Sequence, residues 1–192
     1  MLFLICGLFA YFLGSIPFGK IVAKGRGVDI QKKGSGNIGF TNSLRVIGRK
    51  WAIVVLLGDV LKGFLPAILA LQLLTLNQAQ IVAFVAVLAH VFPVWLKFKG
   101  GKGIATGLGA TLALNPGLAL GGTVIFLLTI SVTKIVSLSS LTATWTMILF
   151  TYIVSPSLTL FYLVLAILTT WAHRGNIKRL TAGTEKRIIA DF

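Results

Sequence analysis

Residues 97–114 read KFKGGKGIATGLGATLAL, and this stretch decides how often the chain crosses a bilayer. A turn of cations and glycines leads into an apolar run at 104–114. At 1.5 Å rise per residue the run is roughly 16 Å long, against a hydrocarbon core of about 30 Å. Either it spans in a thinned, protein-lined position, or it enters and stops. Six longer apolar spans flank it: 1–21, 51–75 and 80–96 before it, then 117–133, 135–153 and 158–172 after it. The turns at 77–80, 115–117 and 155–157 carry no charge, whereas the cations lie at 20–50, 97–102, Lys134 and 174–187, with Lys62 left over inside a span. If 104–114 crosses, every basic cluster falls on one side. If it does not, Lys134 and the basic tail end up opposite residues 97–102. Lysine and arginine are retained in cytoplasmic loops. The spacing therefore predicts an all-α, polytopic membrane bundle of seven transmembrane helices, one of them short, with the N-terminus outside and the C-terminus cytoplasmic. Trp51, Trp95 and Trp171 then all fall at the inner interface, where an aromatic belt belongs.

Composition agrees. The 192 residues are 56% hydrophobic and only 11% charged, with mean hydropathy +0.94, whereas a soluble domain carries about 25% charge. The length suits one membrane-embedded domain over residues 1–192. Eighteen lysines and arginines against four acids give a net charge of +14. Membrane topology explains most of that excess, and an anionic ligand is the sharper reading. Nucleic acid is disfavoured because the cations are spread over short loops between apolar spans. Cys6, the only cysteine, cannot form an internal disulfide. The N-terminus lacks the basic start of a signal peptide, so the first span reads as a retained helix. No internal repeat is visible, which weakens a transporter built from inverted halves.

Three polar clusters punctuate the basic side. The first is Gly34, Ser35, Gly36, Asn37, Ile38, Gly39, Phe40, Thr41 and Asn42, followed by Arg45 and Arg49. Its G-x-G-x-x-G spacing, with Asp59 twenty residues beyond Gly39, imitates a dinucleotide fingerprint. No strand precedes it, and Asp59 lies inside an apolar span, so that reading is rejected. Glycines let backbone N–H groups approach an anion, and Ser35, Asn37 and Thr41 add donors. One helical turn would place Arg45 and Arg49 on one face. The second cluster is Lys99, Gly100, Gly101, Lys102, Gly103, Ile104, Ala105 and Thr106. It is not a Walker A loop, because Gly103 stands where Ser or Thr should follow the lysine. It is a glycine-rich turn feeding a helix N-terminus, which favours anions. The third holds His173, Arg174, Gly175, Asn176, Ile177, Lys178, Arg179 and Leu180, then Gly183, Thr184 and Glu185. The plain alternatives are a flexible basic loop, a basic interfacial turn, and a snorkelling interfacial histidine. Asp59 and Lys62 lie three apart on one face of the second span and can neutralise each other. They read as a buried pair bordering the site, either structural or substrate-related, and Glu185 reads as an anchor for nearby arginines.

Taken together the clusters resemble the bacterial acyl-phosphate:glycerol-3-phosphate acyltransferases of the PlsY type. The three motifs occur in order, and size and hydropathy fit along essentially the whole chain. The resemblance implies acyl transfer from a fatty acyl phosphate to the sn-1 hydroxyl of glycerol 3-phosphate, giving lysophosphatidic acid and phosphate. It implies a multi-pass enzyme of the bacterial cytoplasmic (inner) membrane, with its active site on the cytoplasmic face. Its acyl phosphate would come from a separate soluble enzyme, and it would need no cofactor. The H-x4-D pattern of other glycerol-phosphate acyltransferases is missing, since Trp95 stands five positions after His90 and Lys178 five after His173. By this resemblance His173, Asn176 and Ser35 are the catalytic candidates. Ser35, Gly36, Asn37, Thr41, Asn42, Arg45, Arg49, Lys99, Gly100, Gly101, Lys102, Gly103, Thr106 and Arg179 are the substrate- and phosphate-binding candidates, the loop at 99–106 being the one the resemblance assigns to glycerol 3-phosphate.

Both substrates carry phosphate, to which charge-assisted hydrogen bonds are worth about 1.5–3 kcal/mol each. His173 and Asn176 are expected to position the glycerol hydroxyl or the reacting carbonyl, and Ser35 or Asn37 to stabilise the oxyanion. Two proton acceptors are open: His173, with a pKa near 6.5, and the substrate phosphate, with a second pKa of about 6. Because acyl phosphate is already activated, the reading leans to the substrate, with His173 orienting. Histidines and acids do not cluster at metal-ligand spacing. A transporter of a phosphorylated metabolite is the main rival, and counterflow of labelled glycerol 3-phosphate in liposomes distinguishes it. A phosphatidyl-alcohol transferase would need several aspartates around a metal. A scaffold gives no reason for three glycine–cation clusters.

Overall fold

The structure, a computed structural model, describes residues 1–188. Regular structure among them is helical and divides into two compact units, Met1–Leu114 and Asn115–Phe192.

The first unit holds α1 (Leu2–Gly14), α2 (Phe18–Gly25), α3 (Phe40–Ile47), α4 (Arg49–Leu73), α5 (Leu76–Val91) and α6 (Ile104–Leu114). α4 organises it, packing against each of the other five. Its inward face carries Ala52, Val55, Gly58, Gly63, Ala67 and Ala70, all buried. Its outward face exposes Ile53, Leu57, Leu61, Leu65 and Leu69. Small residues inside and leucines outside are what lipid demands, because association there rests on close packing rather than on apolar contrast with the solvent. The approach is close enough to exclude a methyl group. A Cβ on Gly63 would meet the Thr106 carbonyl oxygen at 2.0 Å, and one on Gly109 would meet that of Val60 at 2.0 Å.

The second unit holds α7 (Pro116–Thr133), α8 (Val136–Val154), α9 (Thr159–Ala172) and α10 (Arg174–Thr181), with α8 packed between α7 and α9. Asn115 caps α7 by accepting from Leu118 N at 3.1 Å, and Pro116 occupies the first helical position, where its missing N–H costs nothing. Hydroxyls of Ser139, Ser140, Thr144 and Thr151 on α8 each donate to a carbonyl one turn back. In this way polar groups are satisfied inside an apolar segment.

Five helical stretches are long and apolar enough to cross a membrane: Leu2–Gly25, Arg49–Leu73, Leu76–Leu96, Pro116–Thr133 and Val136–Val154. Pro156–Ala172 with Arg174–Thr181 makes a sixth if the pair, bent by 67°, is taken as one. Ile104–Leu114 is the shorter apolar helix. Three details depart from the sequence reading. The first apolar span is broken into α1 and α2 at residues 15–17, because Pro17 lacks an N–H and biases Ile16 away from helix. The third span starts at Leu76, before the supposed turn at 77–80. Thr75 and Gln78 form a capping box there, so those polar residues are the helix's first turn. Arg45 and Arg49 do not share a helical face. Gly48, at φ +83°, ends α3, and Arg49 opens α4.

Candidate active site

In the first unit the glycine loop at 34–42 is built around one side chain. Asn42, buried at the start of α3, accepts from Ser35 N at 2.8 Å. Its amide nitrogen lies 3.2, 3.1 and 2.8 Å from the carbonyls of Ile30, Lys33 and Asn37. Asn37 in turn accepts from Gly39 N at 2.9 Å, and Ser43 Oγ donates to the Gly39 carbonyl at 3.1 Å. Asn42 therefore shapes the loop from beneath. Ser35, Arg45 and Arg49 are exposed, and Gly36, Asn37 and Thr41 are half-buried. Gly34 and Gly36, at φ +64° and +72°, supply left-handed turns that other residues resist. The loop rests on α2, since a Cβ on Gly19 would lie 1.7 Å from the Ile38 carbonyl oxygen.

The second loop, 99–106, folds against the end of α5. Gly100 N donates to the Val91 carbonyl at 3.1 Å and Gly101 N to the His90 carbonyl at 3.0 Å. A Cβ on Gly101 would sit 2.0 Å from His90 Nε2. Both glycine amides therefore already donate to α5, and the absence of side chains allows the approach. Lys99 is exposed and Lys102 half-buried. Gly103, at φ +83°, turns the chain into α6, where Gly107 N donates back to the Gly103 carbonyl at 2.7 Å. The amides of Ile104, Ala105 and Thr106 precede that first helical bond. Thr106 is fully buried, and its hydroxyl lacks a hydrogen-bond partner among the described residues. Tyr11 Oη donates to the Phe92 carbonyl at 3.1 Å, so the end of α1 meets the end of α5, and both glycine loops belong to that end of the unit.

Beneath them lies the pair inside α4. Lys62 Nζ is 2.9 Å from Asp59 Oδ1 and donates to the Ile16 carbonyl at 2.8 Å, with both side chains buried. His90 Nδ1 lies 3.6 Å from the same carboxylate oxygen. Sequence reasoning reached Asp59 and Lys62 but missed His90. Nothing in the sequence ties a histidine near the end of one span to a carboxylate in another.

In the second unit His173 ends α9 and starts the bend into α10. Only 2% of it is exposed, which removes the snorkelling alternative. Its Nδ1 faces the Thr169 carbonyl at 2.8 Å. A carbonyl only accepts, so in the neutral ring the proton sits on Nδ1 and Nε2 carries the lone pair. Glu185 gathers the rest of the cluster. It accepts from Asn176 Nδ2 at 2.5 Å, Arg179 Nε at 2.6 Å and Ser137 Oγ at 2.8 Å. Burial pushes its carboxyl up, but those three donors and the Arg179 charge outweigh it and hold the group below its ordinary range. Ser137, in the first turn of α8, is a second residue missed from the sequence. Ile188 N donates to the Lys134 carbonyl at 2.7 Å. Lys134 and the basic tail thus lie at one end of this unit. Arg174 stacks over Trp171 at 4.1 Å in the same region.

A family model described as glycerol-3-phosphate acyltransferase matches residues 4–183. A curated protein called glycerol-3-phosphate acyltransferase from Trichlorobacter lovleyi is 45% identical, over 98% of each chain. One of the same name from Aquifex aeolicus is 40% identical, over 94% of this chain and 96% of its own. A crystal structure of PlsY, an integral membrane glycerol 3-phosphate acyltransferase in its glycerol 3-phosphate form, superposes with a TM-score of 0.95 at 38% identity, covering 98% of this chain and 96% of that one. Its lysophosphatidic acid form gives 0.92 at 39% identity, over 97% and 95%. On these matches the chain belongs to the PlsY family of integral membrane glycerol-3-phosphate acyltransferases.

Proposed function

We propose that this protein transfers a fatty acyl group from acyl phosphate to the sn-1 hydroxyl of glycerol 3-phosphate, releasing lysophosphatidic acid and phosphate. The observation that carries the reading is the near full-length likeness to a solved acyltransferase in forms with glycerol 3-phosphate and with lysophosphatidic acid. The first two motifs, and the third as far as Gly183, fall within the family match. The chain is a multi-pass integral membrane protein. Its seven crossings, its N-terminus outside and its active site on the cytoplasmic face of a bacterial inner membrane form part of the proposal. What supports them is the collection of basic segments at one end within each unit and the short α6.

The chemistry follows from the groups available. The glycerol oxygen attacks the carbonyl carbon of the acyl phosphate. A C–O bond forms, and the carbonyl electrons move to oxygen. Donors from Ser35 or Asn37 stabilise that oxyanion. The carbonyl re-forms, the C–O bond to phosphate breaks, and phosphate leaves with the electron pair. The hydroxyl proton passes to a phosphate oxygen of the substrate, with His173 as an orienting group. Arg45, Lys102 and the first amides of α6 hold phosphate. Gly100 and Gly101 serve by letting the loop lie flat on α5. Asn176 and Arg179 act from the Glu185 cluster.

Purified protein given palmitoyl phosphate and glycerol 3-phosphate should release phosphate and form lysophosphatidic acid, and acyl-CoA should fail as donor. Equal use of acyl-CoA would defeat the assignment of donor. His173→Gln should keep substantial turnover if the substrate phosphate takes the proton, and loss of all turnover would return the base role to histidine.

A further inference from the structure

The glycine loops of the first unit are far apart in sequence, yet both rest on one buried chain of charges. Lys62 Nζ holds the carbonyl of Ile16, the residue at which the first span breaks. Immediately beyond that break Phe18 packs on α4, where a Cβ at Gly58 would meet its ring at 2.4 Å, and Gly19 packs on the Ile38 carbonyl. The 34–42 loop is thereby referred to Lys62 through the short segment from Ile16 to Gly19. On the other side Asp59 faces His90, whose ring fills the space over Gly101 and whose carbonyl takes the Gly101 N–H. The 99–106 loop is thereby referred to Asp59. Asp59 and Lys62 are one turn apart on a single helix. Buried charge in a membrane span is costly and persists where it is paired and useful. Asp59 Oδ1, His90 Nδ1 and the hydroxyls of Ser15 and Thr106 are buried without a hydrogen-bond partner among the described residues, so polarity is concentrated in this part of the unit.

We infer that Asp59, Lys62 and His90 are positioning residues that set the separation of the two glycine loops, so that His90 governs binding of glycerol 3-phosphate without touching it. The inference rests on the acyltransferase reading. Fixed separation matters because a displacement of about 1 Å in a substrate-holding group can cost up to about a hundredfold in rate.

The test compares His90→Ala, His90→Gln and Val82→Ala. Val82 lies in the apolar core between α1, α4 and α5 and serves as the stability control. In the folded, detergent-purified protein His90→Ala should raise KM for glycerol 3-phosphate about tenfold with kcat changed less than about threefold, an effect of placement rather than of lost chemistry. His90→Gln, which keeps a polar side chain facing Asp59, should recover most of that loss. Val82→Ala should lower the melting temperature and leave KM alone. In a Cys6→Ser background, spin labels at exposed Lys33 and Lys97 should show a broader distance distribution in His90→Ala and an unchanged one in Val82→Ala. A wild-type KM in His90→Ala, an equal KM rise in Val82→Ala, or an unaltered distance distribution would each overturn the inference. The distance measurement decides it even if wild-type protein shows no acyl transfer, an outcome that would count against the proposed reaction alone.

Discussion

The loop around Asn42 and the cluster around Glu185 solve the same problem with opposite electrostatics. Each gathers a polar segment onto a helix through one side chain. Asn42 is neutral and buried, and its partners are backbone groups within twelve residues of it. Glu185 is charged, and its partners are side chains from two helices, one of them 48 residues away. A neutral amide bonded to its own loop fixes backbone shape and is indifferent to pH and salt. A carboxylate collecting Ser137, Asn176 and Arg179 ties helices together and can be titrated or screened. The lesson is that the 34–42 segment is held as a rigid backbone form, while the 173–185 segment is held as a docked assembly.

The strongest way to break the comparison is Asn42→Ala. It removes the side chain joining Ser35 N to three carbonyls, and it leaves the buried Ile30 carbonyl and three part-buried backbone groups without this partner, at about 1–3 kcal/mol for a fully buried group. Acyl transfer should fall by about a hundredfold or more, with the same loss at every pH and salt concentration assayed. A salt-sensitive loss would remove the distinction. Glu185→Gln should act less severely, by about tenfold. Glutamine still accepts hydrogen bonds, and the Arg179 charge is part-exposed and screened. Its deficit relative to wild type should shrink at high ionic strength.

Acid comes third. Because the folded-state carboxyl of Glu185 is lowered, its contribution is complete above the ordinary carboxylate pKa and drains away only as pH falls through the lower folded value. The protection of the Ile188 amide, tied to Lys134, taken relative to its intrinsic exchange rate, should therefore be constant through neutral and mildly acidic pH and fall below the usual carboxylate range. Amides of the 34–42 loop should show no matching step. Smallest is Ser137→Ala, which deletes one of three donors to Glu185 and should cost about 1 kcal/mol of stability with little change in KM.

Much of this was legible in the chain. Apolar runs separated by uncharged and by cationic turns placed most of the helices to within a few residues. Positive-φ glycines such as Gly34, Gly36 and Gly103 fell inside the clusters picked out by composition. The reading failed where two local rules competed. Thr75 and Gln78 looked like a turn and were a helix cap. Arg45 and Arg49 had helical spacing, yet Gly48 breaks it. Gly100 and Gly101 looked like free anion-binding amides and instead donate to the last carbonyls of α5.

Periodicity and charge determine whether a segment can sit in hydrocarbon and which loops must stay wet, because those are costs each residue bears alone. The sequence by itself therefore established the membrane class and the three polar segments. It could not establish that His90 would stand over Gly101, that Lys62 would reach the Ile16 carbonyl, or that Ser137 would join Glu185. Those depend on which helix faces which, and that is settled by the close fit of small residues such as Gly58, Gly63 and Gly109 against their neighbours. Such a fit belongs to two surfaces at once and is written in neither segment separately.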